Sequence, residues 1–311
     1  MTWNKKYWLC CIFYCFIVFN AFSQNYNPRC RYTGFGLSLN STFFQGDIGT
    51  HPSLLRPGLG LHINRQVSPR SHIMIELNWA RLIGDDYIST FQNKELEHFM
   101  YTRNLHFRND IKELAVIGQL DLIPSLDHDR KRPIYNIYFL YGLIIFHHNP
   151  KAKDVDGRWV DLRPLRTENR QYSAINLAIP LGAGFRYKIN IQWDVEFEAS
   201  YRFTSTDYLD DVSRRYPFPE QLGSSRVRQL SNRSGEEVSA FSGRPRDMEF
   251  LSELGNQIVE DEESGYRYAS NHAPGTERGS RFGWDSYVMC NIRIRYNIPV
   301  TVNCPKFREN Y

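Results

Sequence analysis

The stretch Ile191–Thr204, which reads IQWDVEFEASYRFT, decides the fold. Its odd-numbered residues are apolar, and its even-numbered residues from Gln192 onward are polar. Because successive side chains of a β-strand point to opposite faces, this pattern predicts a strand with one apolar and one polar face. The alternation lasts fourteen residues. That is long for a globular strand and sufficient for the roughly 9–11 tilted residues that cross a bilayer in a β-barrel.

Seven further segments alternate in the same way: Tyr32–Phe44, Pro57–Val67, His72–Leu82, Asp110–Ile123, Pro133–His147, Ile179–Ile189 and Trp284–Ile298. The connections between the eight segments are long and short in strict turn. We therefore predict an all-β fold, an eight-stranded antiparallel up-and-down transmembrane β-barrel of the outer-membrane type. The long loops are expected to be extracellular, and the short turns and both chain ends periplasmic. A soluble β-sandwich is the alternative, but it gives no reason for this segregation of loop lengths.

The first residues predict export. Lys5 and Lys6 precede an apolar stretch, Tyr7–Phe22, which a small-residue cleavage pattern follows. We interpret residues 1–23 as a secretory signal peptide, because the stretch is short for a membrane anchor. Residues 24–311 then form a single barrel domain in the bacterial outer membrane, with a periplasmic tail at 299–311. The net charge of +4 is too small to indicate nucleic acid, and no cofactor motif is present.

Charged residues on the inward faces predict how the lumen is filled. The hairpin around Asn190 is expected to pair Lys188 with Gln192 and Arg186 with Asp194. The acidic strand then lies between two basic ones. Buried charges persist when they are paired, so we predict an ionic network that plugs the lumen rather than a conducting pore. Its expected members are Arg186, Lys188, Asp194, Glu196, Glu198, Arg293, Arg295, Glu76, Glu113 and Asp121.

The loop at 205–283 is the longest connection. Gly223–Asp247 is rich in Ser, Arg and Gly and predicts weak order, whereas Met248–Val259 has helical spacing. Long loops are often functional, which makes this one a candidate surface for an extracellular ligand. Asp207, Asp210 and Asp211 near its start could act as acid and base or bind a cation. Without a nucleophile signature, a hydrogen-bonded loop start is the favoured interpretation.

Two cysteines suggest a covalent closure of the barrel. Cys30 precedes the first predicted strand and Cys304 follows the last. Closure makes these two strands neighbours on the oxidising periplasmic side, where a disulfide would persist. A Cys30–Cys304 disulfide is therefore a hypothesis that the predicted topology allows.

Several strings resemble the PorG-like outer-membrane proteins that are associated with type IX secretion and gliding. They are Gly46–Gly49, Arg103–Leu105, Phe107–Leu114, Phe146–Ala152, Trp159–Leu165, Thr206–Ser213 and Cys304–Phe307. The most specific are Thr206–Ser213, which includes Thr206, Asp207, Tyr208, Asp210 and Asp211, and the terminal Cys-Pro-Lys-Phe. The resemblance implies a non-enzymatic component that contacts a periplasmic ring of PorK-like and PorN-like proteins. Candidate contacts are Asp129, Arg130, Lys131, Arg132, Lys306 and Phe307.

The sequence is also compatible with two other functions. One is a small barrel enzyme that acts on lipid or peptide at the outer rim. The other is an adhesin or surface binding module that uses the 205–283 loop.

Overall fold

The computed structural model describes residues 32–90, 95, 97–125, 132–261, 266–280 and 283–298. The predicted signal peptide, the Cys30–Cys304 pair, Asp129, Arg130, Lys131, Lys306 and Phe307 lie outside these ranges. The strands are β1 (Thr33–Gln45), β2 (Pro57–Gln66), β3 (Ser71–Asp85), β4 (His106–Asp121), β5 (Tyr135–His147), β6 (Pro150–Lys153), β7 (Trp159–Asp161), β8 (Ile175–Lys188), β9 (Trp193–Thr204), β10 (Ile258–Asp261), β11 (Tyr266–Ala269) and β12 (Ser286–Asn297).

Helical segments are short and lie between the strands. The α-helices are α1 (Asp86–Thr90), α2 (His98–Arg103), α3 (Ser225–Ser231) and α4 (Met248–Glu253), and 3-10 turns form at Pro52–Leu54, Pro219–Gln221 and Ser270–His272. Among the described residues, no helix combines the length and the apolar character needed to span a membrane.

Eight of the strands close into a barrel. Their order is β3-β2-β1-β12-β9-β8-β5-β4, and β3 pairs with β4 to complete the ring. Every neighbouring pair is antiparallel. Each of these eight described strands is therefore paired on both sides, which is the requirement for β-structure in lipid. The predicted fold class, an eight-stranded antiparallel up-and-down barrel, is thus confirmed.

The two faces of the barrel wall follow the sequence alternation. Along β2, burial alternates at every residue, with Leu59, Leu61 and Ile63 exposed and His62 and Asn64 buried. The same parity continues around the ring, so the outer surface is a belt of exposed Leu, Ile, Val and Phe side chains. In water such a surface would be strongly unfavourable, and in a bilayer it is the lipid-facing side.

The β8–β9 hairpin has a different register from the one predicted. Lys188 lies opposite Asp194 and Arg186 opposite Glu196, so the predicted Lys188–Gln192 and Arg186–Asp194 pairs are wrong. The reason is the turn, in which the Asn190 side chain accepts hydrogen bonds from the backbone N–H groups of Gln192 (2.8 Å) and Trp193 (2.9 Å). Such an Asx turn takes Gln192 out of the ladder.

The long connections pack together at one end of the barrel. We call the described residues within 46–56, 86–105, 148–174 and 205–285 the crown. Within it, 223–247 carries helix α3 and a bridge between Val238 and Pro245, in contrast to the weak order that its composition predicts. The predicted helix from Met248 is also shorter, because Ile258 and Val259 belong to the β10–β11 hairpin.

Candidate functional site

Near the short-turn end of the lumen, Asp194 is the centre of the charge network. Its Oδ2 atom accepts hydrogen bonds from Arg295 Nη2 (2.7 Å), Arg132 Nη1 (2.5 Å) and Asn297 Nδ2 (2.9 Å). Arg295 reaches Asp194 because β9 and β12 place the two residues directly opposite each other. Lys188 lies near this layer, with its Nζ 3.4 Å from the carbonyl oxygen of Arg132.

The next layer joins both sides of the barrel. Glu196 Oε1 lies 2.7 Å from Arg186 Nε and 2.7 Å from Arg295 Nη1. Arg186 also donates to Asp121 Oδ2 at 2.8 Å and to Gln119 Oε1 at 2.9 Å. A single guanidinium thus connects β8 to β9 and to β4 across the interior, which is what the fork geometry of arginine allows.

Toward the crown, Arg293 is shared between two carboxylates. Its Nη2 lies 2.9 Å from Glu76 Oε1, and its Nη1 donates to Glu198. Above them, Glu113 accepts from the Tyr287 hydroxyl and lies 3.4 Å from Arg202 Nε. The side chains of all these residues are buried. The lumen is therefore crossed by charged side chains at every level from Asp194 to Glu113.

Two arginines of this network, Arg202 and Arg132, were not among its predicted members. Arg202 lies on the inward face of β9, so the alternation could have identified it. Arg132 was expected to contact a periplasmic partner, whereas the structure buries its side chain against Asp194 and over the ring of Tyr32. Its position in a connection without periodicity gives no signal of that role.

The wall formed by β1 and β2 is neutral rather than charged. It is lined by Ser38, Asn40, His62, Asn64 and Gln66, which are buried and have side-chain atoms without a hydrogen-bond partner among the described residues. Buried polar groups of this kind are ordinarily satisfied by ordered water. The ionic plug thus occupies the side of the lumen that is lined by β3, β4, β8, β9 and β12.

In the crown, the string Thr206–Ser213 forms a buried, hydrogen-bonded start of the long loop. Asp210 accepts from the backbone N–H groups of Ile48 (2.9 Å) and Val212 (2.9 Å). Asp211, which has a left-handed φ of 70°, accepts from the hydroxyls of Tyr172 (2.6 Å) and Thr167. The carboxylates therefore organise the loop backbone.

Burial changes the acidity of these carboxyls. It raises the pKa of Asp211 to about 6, although the nearby Arg278 partly offsets it. It also raises the pKa of Asp207 to about 7, against the lowering effect of its hydrogen bond with Ser213. For Asp210 and Asp285, burial raises the pKa well above the usual value, and the charges of neighbouring aspartates add to the effect.

Three buried arginines tie the crown together through main-chain carbonyls. Arg103 pairs with Asp86 at 2.8 Å and donates to the carbonyls of Asp47 (2.6 Å) and Arg278 (2.8 Å). Arg246 donates to four carbonyls, those of Tyr101, Thr102, Ser234 and Glu236. Arg278 binds the carbonyls of Ser231 (2.9 Å) and Asp211 (2.6 Å) as well as Glu168 (2.9 Å).

The acid–base and cation interpretations of the three aspartates lose support from this geometry. Asp207 accepts from the Ser213 hydroxyl at 2.5 Å, and Asp210 and Asp211 are engaged as described. Each of the three uses at least one carboxyl oxygen to hold a loop segment in place. Within the part of the chain that the structure describes, no group of three or more His, Cys, Asp or Glu side chains is arranged to hold a metal ion.

A barrel with a lipid-facing apolar exterior, a charged and occupied interior and an ordered crown defines the class: an integral membrane β-barrel of the outer-membrane type. The chain belongs to the family described as a domain of unknown function, DUF6089, whose model matches residues 11–243.

Among solved structures, the chain is similar to several bacterial outer-membrane proteins. It shares 8% identity with Ail, the attachment invasion locus protein of Yersinia pestis, crystallised with the heparin analogue sucrose octasulfate (86% of this chain, 97% of that chain, TM-score 0.34). It shares 6% identity with the neisserial surface protein NspA, over 86% of this chain and 97% of that chain, with a TM-score of 0.35. It shares 10% identity with a major outer membrane protein of Thermus thermophilus, over 86% of this chain and 99% of that chain, with a TM-score of 0.35. No curated protein matches the sequence.

Proposed function

We propose that this protein is a non-enzymatic outer-membrane component of a type IX secretion and gliding machine, which anchors or assembles a periplasmic ring of PorK-like and PorN-like proteins. The observation that carries the proposal is the occupied lumen. Arginines from β8, β9 and β12 reach carboxylates on other strands across it, so the barrel is suited to holding a position in the membrane. The resemblance of the Thr206–Ser213 string to PorG-like proteins is the reason for assigning the protein to the type IX secretion and gliding machinery.

A structural anchor needs its partner surface outside the lumen. Under this proposal the short connections at 67–70, 122–134 and 189–192 and the predicted tail at 299–311 are the periplasmic parts of the chain. Arg132 is committed to Asp194 inside the barrel. The remaining candidates for the ring contact are Asp129, Arg130, Lys131, Lys306 and Phe307, and the exposed Arg70 joins them in the first turn.

Site-specific crosslinking tests this proposal. A photo-crosslinking amino acid replaces Lys131 or Lys306 in producing cells, and the crosslinked proteins are identified by mass spectrometry. We expect a ring lipoprotein to be captured from these two positions. The matched control is Val155, which is highly exposed on the crown at 72% and is expected to capture no ring component. Failure of both periplasmic positions to reach a ring protein would contradict the proposal.

A flux assay tests the occupied lumen separately. Liposomes that carry the purified protein are expected to pass small solutes no faster than empty liposomes, because paired charges cross the interior and an eight-stranded barrel leaves little room beside them. Free passage of small sugars would identify a pore and remove the main support for the anchor.

The ordered crown favours a second candidate, a surface binding module. Arg246 and Arg278 fix the long loop in one shape, as a recognition surface requires. Under this candidate, Val155→Ser and Val238→Ser would reduce attachment of producing cells to a host or neighbouring surface and leave secretion unchanged. Under the anchor proposal neither change affects secretion or ring assembly.

A further inference from the structure

A deep cleft separates the crown from the lipid-facing surface of the barrel. It has a volume of about 1810 Å³ and lies between residues 168–171, 213–218 and 283–286. Its floor includes Tyr201 and Phe203, which lie on the outward face of β9, and Trp284, which precedes β12. Phe203 is 50% exposed and Trp284 is 66% exposed. The floor is thus continuous with the lipid belt at its crown end.

The cleft walls are cationic. Arg170, Arg214 and Arg215 line the cleft and are exposed. Arg215 is held in place by a 3.1 Å hydrogen bond from Nη1 to the carbonyl of Gly275. Across the described ranges, none of the three guanidinium groups forms an ion pair with a carboxylate. The walls therefore carry three positive charges that are not engaged in ion pairs within these ranges.

The acidic groups of the cleft do not cancel this charge. Glu168 is already bound by Arg278 at 2.9 Å and accepts the backbone N–H groups of Ser213 (3.0 Å) and Arg214 (3.2 Å). Asp207 accepts from the Ser213 hydroxyl at 2.5 Å. Asp285 also lines the cleft and accepts the backbone N–H group of Leu209 at 2.7 Å. All three acidic side chains thus bind groups of the crown. An entering ligand would meet three arginines above an aromatic floor.

We propose that this cleft binds an anionic lipid of the outer leaflet, with its phosphate on Arg170, Arg214 and Arg215 and the first part of its acyl chains on Phe203 and Trp284. Guanidinium groups match phosphate oxygens in a bidentate fashion. Aromatic side chains are favoured where a membrane surface meets water. A soluble phosphate would use the arginines but would leave the apolar floor uncovered.

Native mass spectrometry of the full-length protein in detergent tests the assignment. The probes are monophosphoryl lipid A, phosphatidylglycerol, zwitterionic phosphatidylethanolamine and soluble glucosamine 1-phosphate. We expect retention of the two anionic lipids and little retention of the other two probes. The triple variant Arg170→Ala, Arg214→Ala and Arg215→Ala should bind the anionic lipids about tenfold more weakly, because it removes the charge-assisted contacts.

Matched variants separate charge from fold. Arg158→Ala with Arg244→Ala removes two exposed crown arginines outside the cleft and should bind like the parent. Trp284→Ala should weaken lipid retention without creating binding of the soluble probe. A heat-sensitive shift in gel mobility verifies that each variant retains the folded barrel.

Three results would overturn the assignment. The first is equal retention of anionic lipid by the parent and the triple variant. The second is equal loss in the Arg158 and Arg244 control, which would show a general effect of charge. The third is binding of glucosamine 1-phosphate as strongly as the lipids, which would make the cleft a site for a soluble phosphorylated ligand.

Discussion

The lumen and the crown both bury arginines, but they neutralise them in different ways. In the lumen, Arg186 and Arg293 each contact two carboxylates on other strands. In the crown, Arg246 holds four main-chain carbonyls from segments that are more than a hundred residues apart in the chain. The lumen network thus pairs side chains that the closed barrel brings together, both along neighbouring strands and across the interior. The crown arginines instead bind main-chain carbonyls of irregular loops, which have no regular strand pairing to satisfy them. Damage to the first should destabilise the barrel, and damage to the second should open the loops alone.

The largest effect is expected from Arg293→Met. The change leaves Glu76 and Glu198 buried without their cation, and losing one partner of a buried pair costs about 3–5 kcal/mol. Urea titration of the folded form in detergent micelles measures the loss. Cys290→Ala, on the lipid face of the same strand, is the control and should change stability little. Addition of Glu76→Gln and Glu198→Gln should recover much of the loss; an undisturbed single variant would show that the network does not hold the barrel.

The crown counterpart is Arg246→Met. It leaves buried carbonyls without a donor, and hydrogen bonds to charged groups contribute about 1.5–3 kcal/mol each. We expect the crown to open more readily by at least about 3 kcal/mol, the value for one or two such bonds, and limited proteolysis of residues 205–285 detects this opening. The midpoint of barrel unfolding should stay where it is, and the exposed Arg244→Ala should match the parent. A common loss of barrel and crown stability would show that the two regions form one cooperative unit.

These two regions also differ in how far the sequence predicts them. Alternation located the barrel strands because lipid and lumen impose a strict period of two, and β5 was expected at Pro133–His147 and lies at Tyr135–His147. The same period assigns Arg293 and Arg295 to the inward face. The alternation stops at the end of β3, where four consecutive residues from Leu82 are buried beneath the crown.

Which partner each charged side chain binds depends on turns and loops, and these have no periodic sequence pattern. The register of β8 and β9 depends on how the Asn190 side chain shapes one turn, and a shift of one pair changes every ionic contact. The crown arginines bind carbonyl oxygens, which every residue carries. The sequence around Arg103, Arg246 and Arg278 therefore contains no signal of their partners.

The stability of the crown should also depend on pH through the carboxyl group of Asp211. Because burial raises the pKa of Asp211 to about 6, the folded crown favours the protonated acid. With respect to this group the crown is most stable below about pH 4, and it loses about 3 kcal/mol as the pH rises to 7. Asp211→Asn should abolish this dependence, since an amide stays neutral and tolerates the left-handed φ.

Hydrogen exchange of crown peptides at pH 5 and pH 8 measures the effect. Comparing the parent with the variant at each pH cancels the opposite contribution of His148 and His272, whose pKa values burial lowers to about 4 and about 3. A parent and a variant with the same pH profile would show that Asp211 does not titrate in this range.

The smallest effect is expected at the periplasmic hairpin. Asn190→Ala removes the two hydrogen bonds that shape the turn and should cost the barrel about 1 kcal/mol. Combining Asn190→Ala with Asp194→Asn tests whether the turn stabilises the barrel by setting the register of the acidic residues of β9. Additive losses of unfolding free energy in urea titrations would mean that the turn and the acidic residues of β9 contribute independently.

The pairing of β12 with both β9 and β1 couples closure of the wall to neutralisation of the lumen. β12 carries Arg293, which pairs with Glu76 and Glu198, and Arg295, which pairs with Asp194 and Glu196. The strand that joins β9 to β1 therefore also supplies the cations for the buried carboxylates of the lumen. A barrel left open at this strand would keep those carboxylates uncompensated, so closing the wall and pairing its charges depend on the same twelve residues.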